Sequence, residues 1–317
     1  MKALVTGVSG FVGRYLVEHL SAAAPEVEIW GLEWAEDPGE VPPSVHRLTG
    51  DVALPSSLTH NIASARPDIV FHLAGATSVA SSWQQPDRSF QVNALGTLNL
   101  LEALRSLDLR PRVVVATSAE IYGAVPEETL PITEGTPLRP ISPYAASKAA
   151  QDLIAAQYHR GFGMATVRLR LFPHTGPRRP ALFAASSFAR QIARIERGLD
   201  PPRLAVGNLD AVRDFTDVRD VARAYWLAAT AECAGEAYNI CSGRGVTIRW
   251  VLETLLSLSD AEIDVEVDPD RLRASDIPHL VGDHSRFTNA TGWQPEISLE
   301  QTLRDLLDGW RENIDRL

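Results

Sequence analysis

Tyr144 and Lys148 are the residues best placed to do chemistry together. They lie in the stretch Ser142-Pro143-Tyr144-Ala145-Ala146-Ser147-Lys148-Ala149-Ala150. Pro143 suits the first turn of a helix, because its missing N–H is not needed there and its φ is already set. Ser142 just before it can cap that helix. Four residues apart, the phenol and the ammonium then share one face. A phenol beside a cation is a proton donor with a tuned pKa: the positive charge favours the phenolate and should pull the tyrosine below about 10. A Tyr-x-x-x-Lys pair also arises by chance on surface helices, so its weight comes from what surrounds it.

The chain start supplies the first surrounding element. Ala3-Leu4-Val5 is a short apolar run, followed by Thr6-Gly7-Val8-Ser9-Gly10-Phe11-Val12-Gly13 and an amphipathic stretch through Leu16, Val17 and Leu20. Strand, glycine-rich turn and helix form the context of a dinucleotide fingerprint. Gly7 permits the tight turn, Gly10 lets the backbone approach a pyrophosphate, and Gly13 allows close helix–strand packing. Phe11 and Val12 fall at the helix start, where N–H groups and the positive dipole end face phosphates. A glycine turn with no ligand is the plainer alternative, and the flanking strand and the later motifs weigh against it.

Val27 to Leu32 reads as the second strand, with Glu33 after it. An acid about 20 residues past the glycines would bond a ribose 2′-OH and repel a 2′-phosphate. No arginine lies between Glu33 and Arg47, so NAD(H) is expected ahead of NADP(H), unless Glu33 is simply solvated beside the ribose. Val45 to Leu48 suggests a third strand ending at Gly50-Asp51-Val52, where Asp51 either holds an adenine amine or caps a turn. Ile69 to Ala76 is nearly continuous in apolar residues, as in a parallel strand buried on both faces. The Leu73-Ala74-Gly75 end leaves room for a cofactor, and His72 reads as a satisfied core histidine. Pro86 to Leu107 has helical periodicity and carries Asn93, which needs a partner if buried. Val113 to Thr117 is the next buried strand and runs into Ser118-Ala119-Glu120-Ile121-Tyr122-Gly123.

This alternation predicts an α/β fold, a Rossmann-type doubly wound parallel sheet. Ligands in such sheets sit at the carboxyl ends of the strands, so Gly7, Gly75, Ser118 and the start of the Tyr144 helix should converge. The 317 residues, 45% hydrophobic and 22% charged, allow a large core and a smaller second lobe. A net charge of −10 argues against nucleic acid or an anionic membrane as the partner. Any anionic ligand then needs local cations and backbone amides. Cys233 and Cys241 have no metal-like spacing and read as buried small hydrophobes in a reducing compartment, with no metal site. No apolar run reaches the roughly 18 residues of a membrane helix. The N-terminus reads as strand and turn rather than a leader, so a cytoplasmic location is expected.

With these residues in place, the chain resembles the extended short-chain dehydrogenase/reductase family that acts on nucleotide sugars. The matching pieces are TGVSGFVG, GDV, FHLAG, the asparagine of FQVNALGT, TSAEIYG and SPYAASKAA. In the second half, GNLDAVRDFTDVRDVARAYW, YNICSG, RLRASDIP and TGWQP resemble the GDP-sugar branch, nearer its 4-keto-6-deoxymannose reductases than its 4,6-dehydratases. The resemblance implies a catalytic trio of Ser118, Tyr144 and Lys148. Tyr144 would protonate the sugar oxygen as hydride leaves the nicotinamide, Ser118 would bond that oxygen, and Lys148 would hold the nicotinamide ribose. The glycine loop, Glu33, Asp51, Val52 and Leu73 to Gly75 would bind the cofactor. Arg213 and Arg273 match positions that grip the diphosphate, work for which the planar arginine fork is suited. Ion pairs inside the protein, with Asp210 and Asp214 or with Asp270 and Asp276, are the alternative for these two arginines. His174, Arg178, Arg179 and Asn208 complete the expected substrate contacts.

The implied reaction is reduction of a GDP-linked 4-keto-6-deoxy sugar to GDP-rhamnose or its C4 epimer. The alternatives are a 4,6-dehydratase or 4-epimerase that keeps its NAD, and a non-catalytic nucleotide-binding regulator. Two departures bear on this. Pro173 stands where the family commonly has asparagine, which removes a side-chain contact. Ala119 stands where dehydratases tend to have Asp or Ser. Glu120 can serve as a base there, but Ala119 cannot serve as an acid, which favours reduction with Tyr144 as the donor.

The sheet domain is expected to hold residues 1–172 plus about 216–240, and the nucleotide-sugar lobe about 173–215 plus 241–317. In that lobe a helix is expected over Val246–Leu258 with Thr247 near its cap, and a capping box at Ser298 and Gln301. Substrate should bind between the lobes. The family commonly pairs the Pro86–Leu107 and Tyr144 helices across a two-fold axis, which implies a homodimer through a four-helix bundle.

Overall fold

The computed structural model describes residues 1–34, 40–271 and 277–314. Arg273 therefore lies outside the described residues. In chain order, β1 (Lys2–Thr6), α1 (Phe11–Ala23), β2 (Glu28–Glu33), β3 (His46–Thr49), α2 (Pro55–Ala65) and β4 (Ile69–His72) come first. Short helices α3 (Val79–Gln84) and α4 (Pro86–Ser89) lead through a π-helical turn, Phe90–Leu95, into α5 (Gly96–Ser106). Then come β5 (Arg112–Ser118), α6 (Pro143–Phe162) and β6 (Thr166–Leu171). The second half holds β7 (His174–Thr175), α7 (Ala184–Glu196), β8 (Arg203–Val206), β9 (Val212–Asp214), β10 (Thr216–Asp217), α8 (Val218–Thr230) and β11 (Ala237–Ile240). It ends with β12 (Gly245–Thr247), α9 (Ile248–Leu256), β13 (Asp264–Val267), β14 (His279–Leu280), α10 (Ser285–Thr291) and α11 (Leu299–Asn313).

Seven strands form one sheet in the order β11-β6-β5-β4-β1-β2-β3, and every neighbouring pair is parallel. The strand order reverses between β1 and β4, which opens a crevice above their carboxyl ends. The apolar runs of β4 and β5 are buried along nearly their whole length, because helices cover both faces of the sheet. On one face Leu16, Leu20, Phe71 and Tyr225 pack α1 and α8 against the strands. On the other, Leu58, Leu100, Leu104 and Tyr158 bring in α2, α5 and α6. A separate core of Phe188, Ile192, Leu252, Leu306 and Trp310 joins α7, α9 and α11 with β8.

Three local expectations need correction. Val246 belongs to β12, where it pairs with Arg213 of β9, so α9 starts only at Ile248, after Thr247 accepts the Trp250 N–H at 3.0 Å. Ser298 accepts the Gln301 N–H at 3.2 Å, but the Gln301 amide turns to Asp305, so the box is half formed. α10 and Trp293, assigned above to the second lobe, pack into the sheet core, where Phe287 and Trp293 are fully buried. The Trp293 indole fixes them there by donating to the Asp220 carbonyl at 3.0 Å.

Both cysteines are free and buried. Among the described residues there is no cluster able to hold a metal ion, and no helix is long and apolar enough to cross a membrane.

Candidate active site

The glycine loop leaves β1 in a conformation that side chains would block. Gly7 has φ +73°, and a Cβ there would lie 2.9 Å from the Ala74 nitrogen. A Cβ on Gly13 would lie 2.4 Å from the Gly7 carbonyl oxygen. α1 then begins after Gly10 with no side-chain cap. A close-approaching backbone and an uncapped 13-residue helix together make a cradle for a diphosphate.

Glu33, at the end of β2, is buried. Arg47 reaches it from β3, with Nη2 at 2.6 Å and Nε at 2.8 Å from the same carboxylate oxygen. The other oxygen, Oε2, is buried with no hydrogen-bond partner among the described residues. Such an orphan acceptor fits a ligand hydroxyl. From the sequence alone Arg47 looks too distant to matter. Pairing of Arg47 with Gly31 across the two strands removes that distance. Asp51 gives one oxygen to the Ala53 N–H at 2.8 Å, as a turn cap does. Val52 packs beneath Gly96 and offers its carbonyl to Asn99.

A cleft of about 1460 Å³ opens above the crevice. The loop from Gly7 to Gly13, the Leu73–Gly75 turn, Ser118, Glu120, Tyr144 and Lys148 line it from the sheet side. His174, Arg179, Asn208 and Arg213 line it from the second half. The start of α6 is set as the sequence requires, with Ser142 Oγ accepting the Ala145 N–H at 3.1 Å. The π-helical turn aims Asn93 inward. Its Oδ1 accepts the Ala76 N–H, and its Nδ2 donates to the Ala76 carbonyl and to Ser147 Oγ.

Lys148 is buried, and its Nζ donates to the Ala116 carbonyl and to Gln151 Oε1, both at 2.8 Å. Burial beside neutral acceptors lowers its pKa to about 7. Tyr144 moves the opposite way from the sequence expectation. Burial pushes its phenol up to about 12, outweighing a hydrogen bond from Ser118 and the more distant Arg179 charge. The lysine has itself given up much of its charge near neutrality, so it does not pull the phenol down. The consequence is a fully protonated donor at neutral pH. Ala119 also differs from expectation: it is completely buried with Ile121 and Tyr122, facing the core rather than the cleft. Ser118 and Glu120 on either side of it do face the cleft, and Ser118 Oγ accepts the Glu120 N–H at 3.2 Å.

In the second half, His174 donates from Nδ1 to the Phe172 carbonyl and stacks on Phe11 of the glycine loop. Burial lowers its pKa to about 3, so it is neutral. The Pro173 carbonyl is taken by the Thr216 N–H at 2.9 Å. Arg179 lies over Phe183 at 3.5 Å and over Phe11 at 4.8 Å. Its Nε is buried without a partner among the described residues, and burial lowers its pKa to about 10, which leaves it charged. Arg178, expected beside it, turns away instead. A positive φ of 65° points it at α1, where it pairs with Glu18 at 2.6 Å and covers Tyr15.

Arg213 donates to the Ile277 carbonyl at 2.7 Å and the Val212 carbonyl at 2.9 Å. Asp210 pairs with Arg249. Asp214 collects the N–H groups of Ser242, Gly243 and Gly282. Asn208 caps the Asp210 N–H. Two features, one lining the cleft and one buried behind Lys148, are absent from the sequence expectations. Tyr225 of α8 ends in a buried hydroxyl without a partner among the described residues. Gln151 sits three residues beyond Lys148, and that helical spacing was the available signal.

The sequence profile of the family described as GDP-mannose 4,6 dehydratase matches residues 4–306. The chain belongs to that family. Within it, the chain is 38% identical to the GDP-6-deoxy-D-mannose reductase of Pseudomonas aeruginosa, over 99% of this chain and 98% of the relative. The structure of RMD from Pseudomonas aeruginosa complexed with NADPH superposes with a TM-score of 0.86 at 38% identity, covering 98% of this chain and 99% of the other. The UDP-glucose 4-epimerase of Thermus thermophilus, complexed with NAD, gives a TM-score of 0.88 at 31% identity, with 98% and 99% coverage. The fold is thus shared both with that protein and with a UDP-glucose 4-epimerase.

Proposed function

We propose that this chain reduces the 4-keto group of a GDP-linked 4-keto-6-deoxy hexose, using a nicotinamide cofactor. The observation that carries the reading is the protonated Tyr144 phenol, opened to a cleft that also holds Ser118 and Lys148. The 38% identity over 99% of the chain to a GDP-6-deoxy-D-mannose reductase supports the choice of reaction.

The cofactor, when bound, supplies the hydride. The residues of the chain do the rest. The glycine loop and the start of α1 hold the diphosphate, and Lys148 holds the ribose nearest the reacting ring. Ser118 and Tyr144 bond the ketone oxygen, which fixes it in the geometry that hydride delivery needs. As negative charge grows on that oxygen, Tyr144 gives up its proton. The Arg179 guanidinium stabilises the phenolate left behind. Arg179 and Arg213 grip the substrate diphosphate as planar donors. Asn208, His174 and Arg273 complete the substrate contacts.

Glu33, with one carboxylate oxygen that has no partner among the described residues, favours a ribose hydroxyl over a 2′-phosphate, so NAD(H) is the preferred cofactor. Phe90, Leu95 and Leu153 leave large apolar surface exposed on the π-helical turn and α6. These two elements are the proposed contact of a homodimer. Buried free thiols suit a cytoplasmic enzyme.

The test is a stoichiometric assay. Incubation with the keto-sugar and NADH should oxidise one cofactor per sugar reduced. Turnover of a GDP-sugar that carries a C4 hydroxyl, with no net oxidation or reduction of added cofactor, would instead assign the 4-epimerase or dehydratase reading. Binding of GDP-sugars with no turnover of any would assign a regulator.

A further inference from the structure

A chain of buried polar side chains runs from the glycine loop to Lys148, and its hydrogen bonds have only one consistent direction. Thr6, His72, Thr97 and Gln151 are each completely buried. Thr97 has one hydroxyl proton, which goes to the Asn93 carbonyl at 2.7 Å. Toward its other two partners its oxygen must accept. One is the Gln151 amide nitrogen at 2.8 Å, and the other is His72 Nε2 at 3.0 Å. His72 therefore carries its proton on Nε2, and its Nδ1 accepts from the Thr6 hydroxyl at 2.8 Å. The Thr6 oxygen in turn accepts the Ala74 N–H at 3.1 Å. The ring is neutral, since burial lowers its pKa to about 3.

This direction fixes the Gln151 amide. Its NH2 is held by Thr97, so its oxygen faces Lys148 Nζ at 2.8 Å. The Ala116 carbonyl takes a second position on Nζ, also at 2.8 Å. Gly75 lies against Nζ at the cleft, where an added Cβ would come within 3.3 Å of it. Charges on the surrounding elements lie elsewhere. Asp152 of α6 is held by Arg168 and Arg170 of β6. Glu120 and Arg179 lie on the cleft side with Tyr144, and His72 of β4 is neutral.

We propose that Gln151 is a positioning residue for Lys148. Thr97 and His72 orient it so that a neutral carbonyl takes the place of a carboxylate counter-ion and the third Nζ position is turned toward the cofactor ribose. The proposal rests on the reading of Lys148 as the ribose-holding residue. It explains why a buried lysine with no acidic partner among the described residues stays in place: its site is built from neutral acceptors. The chain holds two lysines, Lys2 and Lys148, among 30 basic residues. Lysine, unlike arginine, can lose its charge on burial.

That scarcity makes the test direct. Protein labelled with ¹³Cε-lysine gives two resonances, and a Lys2→Arg variant leaves that of Lys148. In the wild type that resonance should titrate near neutral pH. Gln151→Glu places a carboxylate against Nζ and should raise the midpoint by about one pH unit or more. Thr97→Val releases the Gln151 amide. It should move the midpoint and weaken NADH binding about tenfold, while a melting curve reports that the fold is kept.

Gln151→Leu should weaken NADH binding at least as much. If it does not fold, the Glu and Val variants and the wild-type titration still decide. A wild-type midpoint at the ordinary lysine value, or a Gln151→Glu midpoint and a Thr97→Val NADH affinity equal to wild type, would overturn the proposal. Neither readout uses a sugar. Failure of keto-sugar reduction in the wild type would therefore count against the functional reading alone.

Discussion

Arg47 holds Glu33 from the neighbouring strand, with Nε and Nη2 both on one carboxylate oxygen, while the second oxygen is buried without a partner among the described residues. The pair places a cation and an anion together where the adenosine ribose is expected. At that place Glu33 would disfavour a 2′-phosphate, while Arg47 would favour one. Glu33→Gln should shift the ratio of NADH to NADPH affinity toward NADPH by about tenfold or more, measured by fluorescence titration. Adding Arg47→Met should cancel that gain. An unchanged ratio in Glu33→Gln would place Glu33 away from the ribose.

Tyr144→Phe removes the only proton that the phenol site can give to the ketone oxygen. Turnover should fall by about 10²- to 10⁴-fold, with NADH affinity nearly unchanged. Full activity in this variant would exclude Tyr144 as the acid.

The lowered pKa of Lys148 has a sign that can be read in stability. The folded value of about 7 lies below the unperturbed lysine value. From about pH 7 up to about pH 10 the unfolded chain therefore holds more protons than the folded one. Within that window stability should rise with pH by up to about 1.4 kcal/mol per pH unit from this group, and the contribution is least favourable below it. Lys148→Met should flatten that slope. Urea unfolding at about pH 7 and about pH 9.5 measures it, and equal slopes in the two proteins would contradict a neutralised lysine.

Asp152 is buried between Arg168 at 3.1 Å and Arg170 at 3.0 Å. The group ties α6, which carries Tyr144 and Lys148, to β6. Asp152→Asn leaves two buried guanidinium groups without their carboxylate, so it should cost about 3–5 kcal/mol of stability. A denaturation midpoint within error of wild type would show that water or other groups replace it.

Much of the fold was readable because its signals are local. The glycine loop, the apolar runs of β4 and β5, and the Ser142-Pro143 start of α6 each declare themselves within a few residues. The parts that were not readable depend on distant partners. The contact of Arg47 with Glu33 needs the β2–β3 register. Arg178 and Arg179 are adjacent in sequence, yet the left-handed backbone at Arg178 sends one to Glu18 and leaves the other in the cleft. Ala119 faces the core because a short 3₁₀ turn follows β5, and no periodicity announces it. The rise of the Tyr144 pKa is a matter of burial, which a four-residue spacing does not report.

The most direct test follows the hydride itself. NADH carrying deuterium at the transferable C4 position of the nicotinamide would be mixed with the GDP-linked 4-keto-6-deoxy hexose, and the product sugar read by NMR and mass spectrometry. A reductase built on Tyr144, Ser118 and Lys148 should place one deuterium at C4 of the sugar for each NADH oxidised. Product formed without deuterium from the added cofactor would contradict the account.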